Sequence, residues 1–221
     1  MKFQLNEGAA LIFDLDGTLA DSMPVWETLA DDWLRSLGVE PAPGLSAVLA
    51  PLTFTEGACY CIDHYDLDIT VESAVWQWQE AVIERYRSKV KFKPGARAFL
   101  ESCYQAKIPM SIATSCLQAA CEAFIEAQNI GHLFQCVLYS DNIGRNKTHP
   151  DIFLACAQAM GTPPEKCIVF EDSHFAASGV RAAGMRLIAV YDNHSSNWDE
   201  LSQAAELAVM DFEELLNLGA I

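Results

Sequence analysis

The chain has 221 residues, 51% hydrophobic and 20% charged, which excludes a disordered polymer and leaves room for one large domain or one domain with an insertion. Its formal charge of −16 disfavours polyanionic partners, so neither nucleic acid nor an anionic membrane surface is expected to bind it. Any phosphate it handles must be met by local positive charge or a metal. No run approaches the ~20 apolar residues that span a bilayer, and the eight cysteines are scattered without a CxxC pair, as expected of reduced thiols in a cytoplasmic protein.

Taken in chain order, the opening "MKFQLNEGAALIF" has an apolar run too short for a secretory leader. "ALIFD" (10–14) is apolar throughout rather than alternating, the pattern of a strand covered on both faces. It ends abruptly in Asp14 and Asp16, one residue apart, followed by Gly17 and Thr18. Residues 23–37 have amphipathic helical spacing up to Gly38, and "VEPAPG" (39–44) is a turn. The stretch 44–57, "GLSAVLAPLTFTEG", reads as a loop. A long helix spans 70–88, with Thr70 placed to cap it; Glu72 lies two rather than three residues on, so no full capping box is expected. Lys93-Pro94-Gly95 marks a return. Residues 22–92 thus read as a helical insertion over the first strand's carboxyl end, dividing a core made of 1–21 and 93–221.

Beyond it, apolar runs at 110–114, 136–140, 167–172, 187–191 and 207–210 alternate with helical patterns at 95–106, 117–129, 150–160 and 174–183. Strand–helix alternation predicts an α/β fold, a doubly wound parallel sheet with helices on both faces and ligands bound beyond the strands' carboxyl ends.

The polar residues of interest fall at those ends: Asp14 and Asp16, then Thr114-Ser115, then Lys147 in "GRNKTHPDIF", then Glu171-Asp172. Four carboxylates on one patch repel unless a cation intervenes. Oxygen donors of this kind suit a hard divalent ion, and Mg²⁺ binds through one or two carboxylates plus substrate phosphate. Lys147 adds the fixed positive charge that a transferring phosphoryl group requires, and the Thr114 hydroxyl can donate to the same oxygens. Spacing by two residues in extended chain sets Asp16 beside Asp14, so that one carboxylate can attack phosphorus while the other moves protons.

With these motifs in their order, the sequence resembles the haloacid dehalogenase-like hydrolase superfamily. "DLDGT" (14–18) is similar to its first motif, Thr114 to the second, Lys147 to the third and "EDS" (171–173) to the fourth. "GRNKTHPDIF" and "EDSHFAASGVRAAGM" look like the subgroup of phosphoglycolate phosphatase-like, sugar phosphatase and β-phosphoglucomutase enzymes, which carries a helical cap after the first motif. The resemblance implies a Rossmann-like core, Asp14 as nucleophile and Asp16 as general acid/base. It implies Thr114, Ser115 and Lys147 as phosphate ligands. It places Mg²⁺ on Asp14, the Asp16 carbonyl and Asp172, with Glu171 as a further ligand. Thr148 stands where the subgroup often has proline, and Ala176 where glycine is common.

An acid at Asp16 favours phosphoryl transfer over dehalogenation, whose halide leaves unprotonated. The insertion's only lysines, Lys89 and Lys91, lie at its exit, which disfavours a Schiff-base phosphonatase. A mutase would carry a histidine where Trp26 stands and a basic residue in the substrate loop, and 44–57 has none. The expected activity is therefore hydrolysis of a small phosphomonoester by a monomer or weak homodimer. Trp26, Thr53, Phe54 and Thr55 are expected to meet a neutral leaving group such as a sugar, polyol or nucleoside. The competing readings are a β-phosphoglucomutase-like mutase and a catalytically silent binding protein on the same fold.

Overall fold

The computed structural model describes residues 7–50, 52–195 and 197–219. The first six residues of the opening stretch, whose apolar run reads as too short for a secretory leader, lie outside them. The chain opens with β1 (Ala10–Phe13), makes a short β2 (Ala20–Asp21), and enters four helices: α1 (Met23–Ser36), α2 (Leu45–Leu49), α3 (Phe54–Tyr65) and α4 (Val71–Ser88). It returns through β3 (Lys91–Phe92) and continues as α5 (Ala96–Gln105), β4 (Met110–Thr114), α6 (Gln118–Gln128), β5 (Cys136–Tyr139), α7 (Ser140–Ile143) and α8 (Asp151–Ala159). It ends with β6 (Cys167–Glu171), α9 (His174–Ala182), β7 (Arg186–Val190), α10 (Trp198–Ala204), β8 (Leu207–Val209) and α11 (Phe212–Asn217).

Six strands form one parallel sheet in the order β5-β4-β1-β6-β7-β8. The chain moves outward from β1 through β4 to β5, then crosses back to β6 on β1's other side. That reversal is the switch point where doubly wound sheets open a crevice at their carboxyl ends. Asp14 leaves β1 at this point.

Period-two alternation divides β1 between two layers. Leu11 and Phe13 face Ile168, Phe170, Phe99 and Phe212 on one side; Ala10 and Ile12 face Val169, Phe153 and Val180 on the other. Phe13 stacks on Phe170 with centroids 4.7 Å apart, and Phe99 meets it edge-on at 6.3 Å. Rings paired this way contribute about 0.5–1.5 kcal/mol beyond their buried area, which anchors the strand end that carries Asp14.

The insertion differs from the expected one in three respects. The chain leaves and re-enters the core through a two-residue antiparallel ladder, Ala20 opposite Phe92 and Asp21 opposite Lys91; runs this short carry no periodicity to read. The stretch expected as a loop over 44–57 holds α2 and the start of α3. Thr53 caps α3 in a full capping box, accepting from Glu56 N–H while Glu56 accepts from Thr53 N–H at 2.9 Å. The T-x-x-E signal was present in "TFTE". Finally, the helices do not have a separate core: one apolar cluster runs from Phe13 and Phe170 to Trp33, Trp78 and Tyr86, and α4 packs along α6. At α4, Thr70 accepts from Ser73 N–H without a reciprocal partner, as expected. Among the described residues, no helix is long and apolar enough to cross a membrane.

Candidate active site

The turn after β1 is built by glycine. Gly17 has φ of +79°, and its N–H donates to the Ala20 carbonyl at 2.9 Å. A Cβ here would lie 2.5 Å from Asp172 Oδ2, so the position needs glycine for conformation and for clearance of a neighbouring carboxylate.

Asp14 is anchored by its own N–H, which donates to Phe170 O at 3.0 Å. Its carboxylate converges with Glu171, the last residue of β6, and Asp172, just past it, ligand oxygens within 4.8 Å of one another and all three residues buried. Lys147 reaches in from the loop before α8, donating to Asp14 and, at 2.7 Å, to Glu171 Oε1. The second Glu171 oxygen accepts from Ser173 N–H at 3.1 Å. Both Glu171 oxygens are thus engaged, and the residue is placed to hold Lys147.

Asp172 is held from two further directions. Thr18 Oγ1 donates to Oδ1 at 3.1 Å, and Ser195 donates to Oδ2. Ser195 lies in the loop after β7, which buried Asp192 fastens by accepting from Lys93 Nζ and from His194 N–H, each at 2.8 Å.

The electrostatics reflect crowding of anions out of water. Burial, eased by Lys147 but reinforced by Glu171 and Asp172, holds the Asp14 carboxyl well above the usual range. Burial and then Glu171 push Asp172 up to about 7, against the hydrogen bonds from Ser195 and Thr18. Burial alone would lower the Lys147 ammonium, but Asp14 and Glu171 hold it above the ordinary lysine value. Three carboxylates around one ammonium, hard oxygen donors throughout, are a set that a divalent cation satisfies.

Asp16 stands apart from this cluster. Its Oδ1 accepts from Ser22 Oγ at 2.6 Å and from Tyr86 Oη at 2.5 Å. Tyr86 comes from α4 and is fully buried. Burial, then Asp16, pushes its phenol far above the usual range, so it acts as a donor.

Of the residues expected at the site, Asp14, Lys147, Glu171 and Asp172 come together directly. Thr114 ends β4 next to β1, its hydroxyl accepting from Cys116 N–H at 2.9 Å; Ser115 shares a hydrogen bond with Ser140 at 2.9 Å. Neither bonds to the acidic cluster. In the insertion, Trp26, Thr53 and Phe54 line a cavity of about 620 Å³, which borders the site through Met23, next to Ser22, and His194, next to Ser195; Thr55 does not line it. The Thr53 hydroxyl is engaged by Glu56 both as donor and acceptor, so the leaving group does not find it free. Ser22, Tyr86 and Ser195 carried no sequence signal, because their partners lie 6, 70 and 23 residues away.

A second glycine positions the lysine. A Cβ at Gly179, within α9, would overlap the Lys147 carbonyl oxygen and lie 2.6 Å from that of His149. Ser178 Oγ donates to Thr148 O at 3.1 Å in the same seam. Alanine gains about 1 kcal/mol of helix propensity, but backbone cannot yield as a side-chain tip can. Gly179→Ala should therefore displace the Lys147 loop, cutting kcat at least about tenfold, as an ångström-scale misplacement does. Steady-state kinetics beside a thermal melt checks this; unchanged kcat would exclude the loop as the lysine's support.

A model of the haloacid dehalogenase-like hydrolase family matches residues 11–190. The chain belongs to that family. Fructose-1-phosphate phosphatase YqaB of Escherichia coli is 30% identical over 82% of this chain and 96% of its own length. Hexitol phosphatase A of the same organism is 30% identical over 81% of each. The crystal structure of CbbY from Rhodobacter sphaeroides in complex with phosphate superposes with a TM-score of 0.75 at 21% identity, covering 94% of this chain and 96% of that one. This hydrolase is an enzyme of the phosphatase type, on a Rossmann-like core.

Proposed function

We propose that this hydrolase cleaves the monophosphate ester of a small neutral carbohydrate or polyol through a phosphoryl-aspartate on Asp14, with Mg²⁺ as its cofactor. The observation that carries the reading is the buried meeting of Asp14, Lys147, Glu171 and Asp172 at the sheet's switch point.

Asp14, Asp172 and the Asp16 carbonyl would hold the cation, which when bound neutralises phosphate oxygens and the carboxylates around them. Lys147, oriented by Glu171, meets a further phosphoryl oxygen, and Thr114 with Ser115 bounds the group's far side. One Asp14 oxygen attacks phosphorus as the ester oxygen leaves, and Asp16 supplies the proton that oxygen needs. Asp16 then takes a proton from the water that opens the acyl phosphate, restoring Asp14 and releasing inorganic phosphate.

The leaving group is read from the cavity. Its walls are mainly apolar, with Met23, Trp26, Leu29, Phe54 and Trp78 among them. Glu27 and His194 stand on its lining, joined by a 2.8 Å contact, and neither lysine nor arginine is present there. Aromatic faces suit the C–H face of a sugar, and with Glu27 already paired to His194 the described lining offers no lysine or arginine to hold a carboxylate or second phosphate. This supports hydrolysis over mutase chemistry. The names of the relatives, which act on fructose 1-phosphate and hexitol phosphates, point the same way. Residues 22–92 serve as a cap over a core of 1–21 and 93–221. The enzyme is taken to act as a monomer or weak homodimer, and the eight unpaired cysteines support a cytoplasmic setting.

A panel of fructose 1-phosphate, glucitol 6-phosphate and phosphoglycolate, with and without Mg²⁺, tests the reading. Neutral esters should lead phosphoglycolate by about tenfold or more in kcat/KM, the scale of one misplaced charge, and chelation should abolish turnover. Phosphoglycolate leading would reject the assigned leaving group.

A further inference from the structure

We infer that Tyr86 is a positioning residue for proton delivery to the leaving group, so that the insertion's last helix completes the acid/base device. The inference rests on the reading of Asp16 given above. Asp16 Oδ1 accepts two hydroxyl hydrogen bonds, from Ser22 at 2.6 Å and Tyr86 at 2.5 Å. With both hydroxyl donors on Oδ1, the carboxyl plane is set, and Oδ2, which accepts from neither hydroxyl, is the oxygen assigned to the ester. Ser22 belongs to the crossing from the core, immediately after β2, but Tyr86 arrives from α4.

The phenol's place is itself determined by packing. Its ring is fully buried, meets Trp26 edge-on with centroids 6.4 Å apart, and belongs to the apolar cluster that joins the insertion to the sheet. Trp26 also walls the cavity read as the leaving-group site. The group that occupies that cavity therefore lies one ring away from the hydroxyl orienting the acid. In the first half-reaction the Asp14–phosphorus bond forms as the phosphorus–ester oxygen bond breaks, and the proton on Asp16 Oδ2 passes to the departing oxygen. The carboxylate left behind keeps both Oδ1 hydrogen bonds, which strengthen as its charge appears.

A merely structural tyrosine and a positioning one differ in leaving-group dependence. An alcohol needs the proton; p-nitrophenolate leaves without it. Because kcat/KM reports only steps through phosphoryl transfer, the later hydrolysis of the acyl phosphate does not blur the comparison. General acid catalysis contributes about 10²–10⁴-fold, and losing its orientation should forfeit part of that. Tyr86→Phe is expected to lower kcat/KM for fructose 1-phosphate by about tenfold and for p-nitrophenyl phosphate by less than about twofold. Ser22→Ala, which leaves the insertion's packing untouched, should shift the same ratio in the same direction. On an Asp16→Asn background, Tyr86→Phe should add nothing, since coupled residues are non-additive. Equal losses on both esters, or no loss on either, overturn the inference while leaving Asp16 as the acid. An Asp16→Asn variant equally impaired on both esters instead overturns the reading of Asp16, and the role of Tyr86 with it.

Discussion

Asp14→Asn is expected to lower kcat/KM on any phosphomonoester by at least about 10⁴-fold, the scale seen when a covalent nucleophile is removed. The amide is nearly isosteric, so the apolar neighbours of β1 are undisturbed and the N–H to Phe170 O is kept. What disappears is the oxygen proposed to attack phosphorus and one of three carboxylates within a 4.8 Å cluster. Losing a negative charge there also relieves repulsion of Glu171 and Asp172, so stability without Mg²⁺ should change little despite the forfeited Lys147 contact. A quenched phosphoenzyme, labile to hydroxylamine as an acyl phosphate is, should form on the wild type and be absent from the variant. Turnover within a hundredfold of wild type would show that another group, or water directly, attacks phosphorus.

Lys147→Met has the next largest effect and acts on stability as well as rate. The ammonium bonds to Asp14 and to Glu171, with its side chain and both partners largely out of solvent. Breaking a buried pair by removing one member costs about 3–5 kcal/mol, because the other charges are left without compensation. Removing a preorganised donor aimed at transition-state charge costs about 10²–10³-fold in kcat. The two effects separate by titration with Mg²⁺. A cation that settles among Asp14, Glu171 and Asp172 should recover part of the lost melting temperature by binding the folded state, but not the rate, since the phosphoryl oxygen proposed to face Lys147 would still lack its partner. Lys147→Arg should not rescue the rate, because a planar fork cannot replace a point charge between two carboxylates. A Lys147→Met variant with wild-type kcat would remove the lysine from the transition state.

Both experiments address a site whose parts were unequally visible in the sequence. Asp14, Glu171 and Asp172 were legible because each sits at, or just beyond, the carboxyl end of an apolar run, and Lys147, eight residues past β5 and beyond α7, through the motif "GRNKTHPDIF". A parallel sheet has only one edge where such ends gather. The same rule gave the six core strands to within a residue or two. The apolar run 136–140 predicts Ser140 as the end of a strand, whereas it opens α7, bonded to Ser115. The capping box at Thr53 and Glu56 is written in four consecutive residues, inside a stretch whose Gly and Pro residues otherwise predict a loop.

What the amino-acid order determined alone was the alternation of buried strands and helices, and with it the place where acids, hydroxyls and a lysine must converge. Those features are local: periodicity, apolar runs and the residue that follows them. What only the tertiary structure decided was orientation. The Tyr86 and Ser22 hydroxyls on Asp16, the Ser195 hydroxyl on Asp172, the clearance at Gly179 for the Lys147 loop and the apolar wall from Trp26 to Trp78 join segments with no common pattern. Helix packing sets such contacts, and packing depends on the shapes of both surfaces at once, which no single stretch of sequence encodes.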